Sequence, residues 1–345
     1  MQRYLSIVLS LIAVVAMRGS AQSRGEFIFS PGSTSFPSSH ASTLVGLRDG
    51  SILTAWFGGT AEGNTDVAIW SSRQTGTAWS KPVELAREPG VACWNPVLFH
   101  MQNARLWLYY KFGTDPQNWT AARKYSDDEG MTWSATEHLP AGIIGPVRAK
   151  PLVLPDGTIV SGSSTESYHS WAVWIERSRD QGKTWAKIGP IVPTPTDPAS
   201  NQREGIIQPS VVSLGAKHLR LYARSTEVIG RVVVSDSFDE GNTWTQARPI
   251  DVLNPNSGID AVALKDHHVI LIYNNTTKGR SPLNLAISTD GEHFKMFLTL
   301  EDEPGEFSYP SLIQASNGDL CMTYTWNRKS IRFVRLPQLE IPKLP

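Results

Sequence analysis

The sequence predicts an all-β fold, a six-bladed β-propeller of four-stranded antiparallel blades, and three observations carry that expectation. The string Ser-x-Asp-x-Gly-x-Thr-Trp occurs three times without mismatch, at Ser126–Trp133, Ser178–Trp185 and Ser237–Trp244. A second pattern, an apolar strand, a Gly or Asn turn and another apolar strand, interleaves with it and recurs six times. Helical periodicity is absent, and 27 glycines with 23 prolines in 345 residues suit short strands and tight turns.

Worn copies of the first string end at Trp79 and Phe294, so its aromatic ends lie at 79, 133, 185, 244 and 294. A repeat at such regular spacing is the signature of a fold built by stacking one supersecondary unit. The strand pairs follow in order. Thr43–Gly50 precedes Ile52–Trp56, Pro96–Phe99 precedes Leu106–Tyr110, and Pro151–Gly157 precedes Ile159–Gly162. Pro209–Leu214 then precedes Leu219–Ala223, Asp260–Leu264 precedes Val269–Tyr273, and Pro310–Ala315 precedes Leu320–Tyr324. Each unit holds four short runs with the alternation of antiparallel strands. The last unit ends at Leu336 before its fourth strand, while Gly25–Ser30 is a spare strand ahead of the first unit. Joining the two closes the ring and makes 22–345 one domain.

Composition narrows the function. Lys+Arg and Asp+Glu both number 32, which argues against a nucleic-acid binder and against a polybasic membrane protein. Residues 1–21 read as a signal peptide: Arg3, an apolar run over Leu5–Met17, then Gly19-Ser20-Ala21 for cleavage. The mature chain is expected to be a secreted or periplasmic monomer without stable membrane insertion. Cys93 and Cys321 read as small buried strand residues, and no motif for a metal or cofactor appears.

The repeated string resembles the Asp-box of the sialidase (neuraminidase) superfamily, over roughly Phe27–Leu336. The resemblance implies that Asp128, Asp180, Asp239 and their tryptophans shape turns, with the chemistry on the opposite face. Sialidases carry there three arginines that hold a sialate carboxylate, a nucleophilic tyrosine with a glutamate partner, and an aspartic acid. A guanidinium fork matches a carboxylate bidentately. On this chain the first arginine falls on His40, the second on Arg224 in Leu-Tyr-Ala-Arg-Ser, and the third on Arg280 in Gly-Arg-Ser-Pro-Leu. The tyrosine falls on Tyr309 in Phe-Ser-Tyr-Pro-Ser, its glutamate on Gln208, and the acid on Asp66. Glutamine takes no proton, so Glu204, Glu166 or Asp260 would have to activate the phenol in its place. Gln208, Asn95, Arg148, Lys150, Glu166, Asp260 and Trp326 are expected substrate contacts beside the arginines, and His169 and Asn256 fall on the same expected face. His40, with an ordinary pKa near neutrality, is a candidate base or acid. Glu62 reads as a loop residue rather than an acid.

The resemblance implies an enzyme on an acidic glycan, and three functions compete. One is a sialidase-like glycoside hydrolase, exo-acting on a terminal carboxylate-bearing sugar, with Tyr309 as nucleophile and Asp66 as acid. Another is a uronate lyase in which His40 and Tyr309 act as base and acid. The third is a non-catalytic glycan-binding propeller.

Overall fold

The computed structural model describes residues 25–103, 105–195 and 204–344; the expected signal peptide at 1–21 lies outside them. Within those residues the chain is all-β, with antiparallel pairing inside each group of strands and one short 3-10 turn at Gln338–Glu340. No helix among the described residues is long and apolar enough to cross a membrane.

The strands group into six antiparallel sets. The first is Ser38–Gly46, Ile52–Gly59 and Ala68–Thr75, with Ala78–Trp79 and Val83–Ala86 both on its outer edge. The second is Ala92–His100, Leu106–Gly113, Thr120–Ser126 and Glu137–His138. Leu152–Val153, Ile159–Glu166, Ser170–Ser178 and Ala186–Ile191 form the third; Glu204–Gly215, His218–Ser225, Arg231–Ser237 and Arg248–Leu253 form the fourth. A short parallel bridge, Ser170 to Glu204 and Trp171 to Gly205, joins these two sets. The fifth is Asp260–Ala263, Val269–Tyr273, Leu283–Ser288 and Lys295–Glu301. The sixth is Phe307–Gln314, Leu320–Trp326 and Ser330–Leu336, and its outer strand is Glu26–Phe27 from the other end of the chain. Glu26 pairs with Phe333 and Phe27 with Arg332, as the spare strand in the sequence implies.

Among the described residues, six apolar clusters lie between successive sets, because each sheet must bury both faces against its neighbours. Leu53 and Phe57 of the first set pack with Leu98 and Tyr110 of the second. Tyr109 meets Ile159, Val160 meets Leu219, Tyr222 meets Leu271, and Ile270 meets Leu312 in the next four clusters. The sixth cluster joins Leu44 and Trp56 of the first set to Ile331 and Phe333 of the last. The box aromatics sit in these seams: Trp79, Trp133, Trp185, Trp244 and Phe294 each pack against a different cluster.

The box turns are held by their own side chains. Asp180 accepts Thr184 N (2.9 Å), Thr184 Oγ1 (2.6 Å) and Ser178 Oγ (2.9 Å), and Gly182 N donates to Ser178 Oγ at 2.7 Å. The same bonds recur about Asp128 and Asp239. Hydrogen bonds from Thr132 and Thr184 hold the Asp128 and Asp180 carboxyls down to about 2. Glycine is required in the turn: at Gly182, with φ of 81°, a Cβ would come within 2.3 Å of Arg123.

Candidate active site

Each box begins where a third strand ends, at Ser126, Ser178, Ser237 and Ser288. Third strands run parallel to first strands, so the boxes mark the far end of the innermost strands. His40, Asn95, Gln208 and Tyr309 sit near the starts of their innermost strands, at the opposite end.

A shared backbone device aims these residues. Four innermost strands carry one extra residue against their partner, between His40 and Thr43, Trp94 and Val97, Ile207 and Ser210, and Ser308 and Ser311. The extra residue in each is left-handed: Ala41, Asn95, Gln208 and Tyr309 have φ of 53°, 39°, 55° and 49°. A bulge of this kind bends the strand and redirects its side chain, at a conformational cost for a residue with a Cβ. Gly258 stands against two of them; a Cβ there would lie 3.6 Å from both Gln208 Oε1 and the Tyr309 ring.

Tyr309 is the centre of the constellation. Its phenol oxygen accepts Arg224 Nη1 at 2.9 Å and Gln208 Nε2 at 3.3 Å. Arg224 Nη1 also reaches Gln208 Oε1 at 3.3 Å, and its Nε donates to Asn256 Oδ1 at 2.6 Å. The guanidinium carbons of Arg148, Arg224 and Arg280 lie 5.3, 5.8 and 5.5 Å from the Tyr309 ring centre. Arg148 is fully buried and donates through Nη2 to the carbonyls of Tyr309 and Pro310. Its Nε and Nη1 have no hydrogen-bond partner among the described residues, and burial draws its pKa down to about 10. Arg280 donates to Glu306 Oε1 at 2.8 Å.

The imidazole of His40 packs on the Tyr309 ring with centres 4.3 Å apart, and its Nδ1 meets Thr325 Oγ1 at 2.9 Å. Its Nε2 is buried without a hydrogen-bond partner among the described residues. The expectation of titration near neutrality is corrected here. Burial, then the charges of Arg328, Arg280, Arg148 and Arg224, push the His40 pKa well below its ordinary 6.5, so the ring is neutral at pH 7.

The remaining sequence candidates divide. Asn95 is buried on its bulge. Glu166 ends its strand opposite Trp171, whose ring lies 5.8 Å from the Arg224 guanidinium. Asp66 lies on the exposed loop after Ile52–Gly59, at the site's end of the strands, where Thr60 N and Oγ1 both bond its carboxylate at 2.8 Å. Asp260 and Lys150 are not mouth residues. Asp260 is inaccessible, and its two oxygens accept Ser210 Oγ, Ala261 N, Leu312 N and Lys150 Nζ, which fills its four lone-pair directions. That pair joins a buried carboxylate to a half-buried ammonium, and Lys150 lines a cavity of about 460 Å³ with Gly46, Ile313 and Gln314, toward the box end. Trp326 turns its ring edge-on to Phe27 of the outermost strand, 5.2 Å between centres, rather than toward Tyr309.

Sequence reasoning missed Glu306 and Arg328, and it left Glu62 in a loop. Glu306 accepts Arg280, Ser308 Oγ and Arg328 Nε. Burial works to raise the Glu306 carboxyl, and Arg328 with Arg280 overrides it to leave the pKa lowered. Arg328 also pairs with Glu62, so that loop residue joins the site. The available signal was Glu306 itself, three residues ahead of the tyrosine in Glu-Phe-Ser-Tyr. Among the described residues, no group of three or more His, Cys, Asp or Glu is placed to hold a metal ion.

Comparison with known proteins places this geometry. A family model described as BNR repeat-like domain matches residues 50–322. No curated protein matches the chain in sequence. Among solved structures, the chain is similar to the Hadza microbial sialidase Hz136, with a TM-score of 0.75 at 18% identity over 92% of this chain and 69% of that one. It is similar also to the NanB sialidase of Streptococcus pneumoniae, TM-score 0.73 at 14% identity over 92% and 71% of the two chains. The α-L-arabinanase of Penicillium chrysogenum matches with TM-score 0.70 at 17% identity over 92% and 99%. At these identities the likeness is one of fold, and all three neighbours are glycan-cleaving enzymes by name.

Proposed function

The chain belongs to the BNR repeat-like domain family, and from that premise we propose that it is a secreted glycoside hydrolase removing a terminal carboxylate-bearing sugar. One observation carries the reading: a phenol bonded by Arg224 at 2.9 Å, with the guanidinium groups of Arg148 and Arg280 beside its ring. Cations gathered around one hydroxyl, in a partly buried site, favour an anionic ligand. Arg224 and Arg280 take the carboxylate, which sets the anomeric carbon over Tyr309. The phenol oxygen attacks that carbon, its proton passes to neutral His40, and Asp66 protonates the departing oxygen. Water then cleaves the tyrosyl–sugar bond. The same reading has the six sheets close as one propeller domain, which puts all these groups around a common axis.

A second reading, elimination on a uronate, draws on the neutral His40 and on Gln208, which accepts no proton from the phenol. There His40 removes the proton beside the carboxylate, the arginines stabilise the resulting enolate, and Tyr309 gives its proton to the leaving oxygen. A screen of the purified protein on sialylated and uronate-bearing glycans separates them. New reducing ends without ultraviolet absorbance mark hydrolysis, and an absorbing unsaturated uronate marks elimination. Neither product on any acidic glycan would leave a binding module and sink both enzymatic readings.

A further inference from the structure

The resemblance expects a guanidinium at position 40, and the chain carries an imidazole there. We propose that Arg328, delivered from the neighbouring sheet, supplies the missing guanidinium and contacts the carboxylate of the bound sugar. This rests on the acidic-sugar reading above and adds a specificity residue to it.

Arg328 stands in the hairpin between Leu320–Trp326 and Ser330–Leu336. Lys329 N closes the turn on Trp326 O at 3.0 Å, and both central residues are left-handed, Asn327 at φ 50° and Arg328 at 54°. Such a turn favours glycine at its second central position, because a Cβ is disfavoured at positive φ. Turn chemistry therefore argues against an arginine, and its presence calls for another reason. The turn also places it: Ser39 N donates to Arg328 O at 2.9 Å, so Arg328 abuts the residue before His40.

The side chain continues toward the site. Its Nε bonds both oxygens of Glu306, at 2.9 and 3.1 Å, and Glu306 also takes Arg280 Nη1 at 2.8 Å. One carboxylate thus binds two guanidinium groups, and Arg280 is itself 5.5 Å from the Tyr309 ring centre. Glu62 takes Nη1 from the other side. A guanidinium has five N–H donors, and these contacts engage Nε and Nη1. The two glutamates orient the fork of Arg328, while the charge of Asp260 acts on Arg148 from within the core and Asn256 stands between Arg224 and Glu227. The Arg328 side chain is 33% exposed, open to a ligand, and its charge is the strongest acting on His40.

The test is a binding titration of wild type and Arg328→Gly with glycans ending in N-acetylneuraminate or glucuronate. The same glycans reduced from carboxylate to alcohol serve as controls. Glycine suits the turn, so the variant is expected to melt at or above the wild-type temperature. Wild type is expected to lose roughly tenfold to hundredfold in affinity when the carboxylate is reduced. Arg328→Gly is expected to bind the acidic glycan more weakly and to lose much less on reduction, with Arg328→Lys in between because it keeps charge without the fork. A folded Arg328→Gly that discriminates acid from alcohol as wild type does overturns the proposal. A wild type indifferent to the carboxylate overturns the acidic-sugar reading and this inference with it. If Arg328→Gly melts early, Arg328→Lys decides alone: unchanged discrimination with lowered stability means the arginine only ties the hairpin to Glu306 and Glu62.

Discussion

Gln208 and Tyr309, 101 residues apart in the chain, meet side chain to side chain, amide Nε2 to phenol oxygen at 3.3 Å. Arg224 can only donate, so it holds Gln208 Oε1 and turns the amide nitrogen toward the phenol. The phenol oxygen thus receives two donors, and its own proton points elsewhere. Glutamate at 208 reverses that polarity. Gln208→Glu is expected to fold, to pair with Arg224 and to add an acidic limb to the pH profile of kcat/KM. Superimposable profiles for the two proteins would remove position 208 from the proton traffic.

Most of the fold was legible in the sequence because its signals are local. Alternation, Gly turns and the box depend on neighbours within about ten residues, and the spare strand at Glu26–Phe27 follows from counting strands. The site was legible where a side chain lies on a strand end, as Arg224 and Tyr309 do. It was not legible where charge partners come from distant turns. Arg328 meets Glu62 across 266 positions, and nothing beside either residue announces the other. Asp260 and Lys150 were misplaced because a structural ion pair and a ligand contact use the same residue types. The bulges had a faint signal in Asn95-Pro96, Gln208-Pro209 and Tyr309-Pro310, the same dipeptide pattern at the same point of three units.

Arg224 and Arg280 are not equivalent under substitution. Arg224 bonds Asn256, Gln208 and Tyr309, whereas the Arg280 side chain bonds Glu306. Both Arg→Lys variants are expected to lose roughly tenfold to hundredfold in kcat/KM on an acidic substrate, with Arg224→Lys the larger loss. Tyr309→Phe removes the hydroxyl that either chemistry requires. Steady-state kinetics on a substrate the wild type cleaves checks all three, and full activity in each would displace the site from Tyr309.

Ile28 N donates to Ile331 O at 3.0 Å, Ile28 and Phe29 are buried against Trp56 and Phe333, and Glu26 accepts Gln74 and Trp79. The amino-terminal strand therefore covers the edge of the last sheet and seals it to the first. Removing residues 22–31 is expected to expose that edge and lower the melting temperature of the whole domain. A truncated protein melting with the mature chain would show that the strand only decorates the edge.

The box carboxylates link stability to acid. Asp128 and Asp180 sit at about 2 in the folded chain against an ordinary 3.8. The unfolded chain takes up protons first, so their contribution is complete above about pH 4 and is lost as pH falls toward 2. Asp128→Asn and Asp180→Asn should flatten that acid slope in chemical denaturation and leave turnover per folded molecule unchanged. Trp185→Ala, which empties part of a seam, is expected to cost about 3 kcal/mol, also without loss of turnover. A well-folded Asp180→Asn without activity would place the chemistry at the box end.

His40 decides between proton transfer and packing. Its burial and four arginines keep the imidazole neutral well below pH 6.5, so the base form persists where an ordinary histidine has already been protonated. Activity is therefore expected to hold through pH 6.5 and to fall only at lower pH. Stability follows the same sign: the unfolded chain binds a proton at this residue that the folded chain refuses, so acidification below pH 6.5 favours unfolding. His40→Asn keeps a polar group beside Thr325 but cannot exchange a proton near neutrality. It is expected to lose at least a hundredfold in kcat with KM little changed, and to shed the acidic limb of the profile. A His40→Asn enzyme that keeps kcat and raises KM instead would make the ring a platform for the sugar, and the phenol proton would need another acceptor.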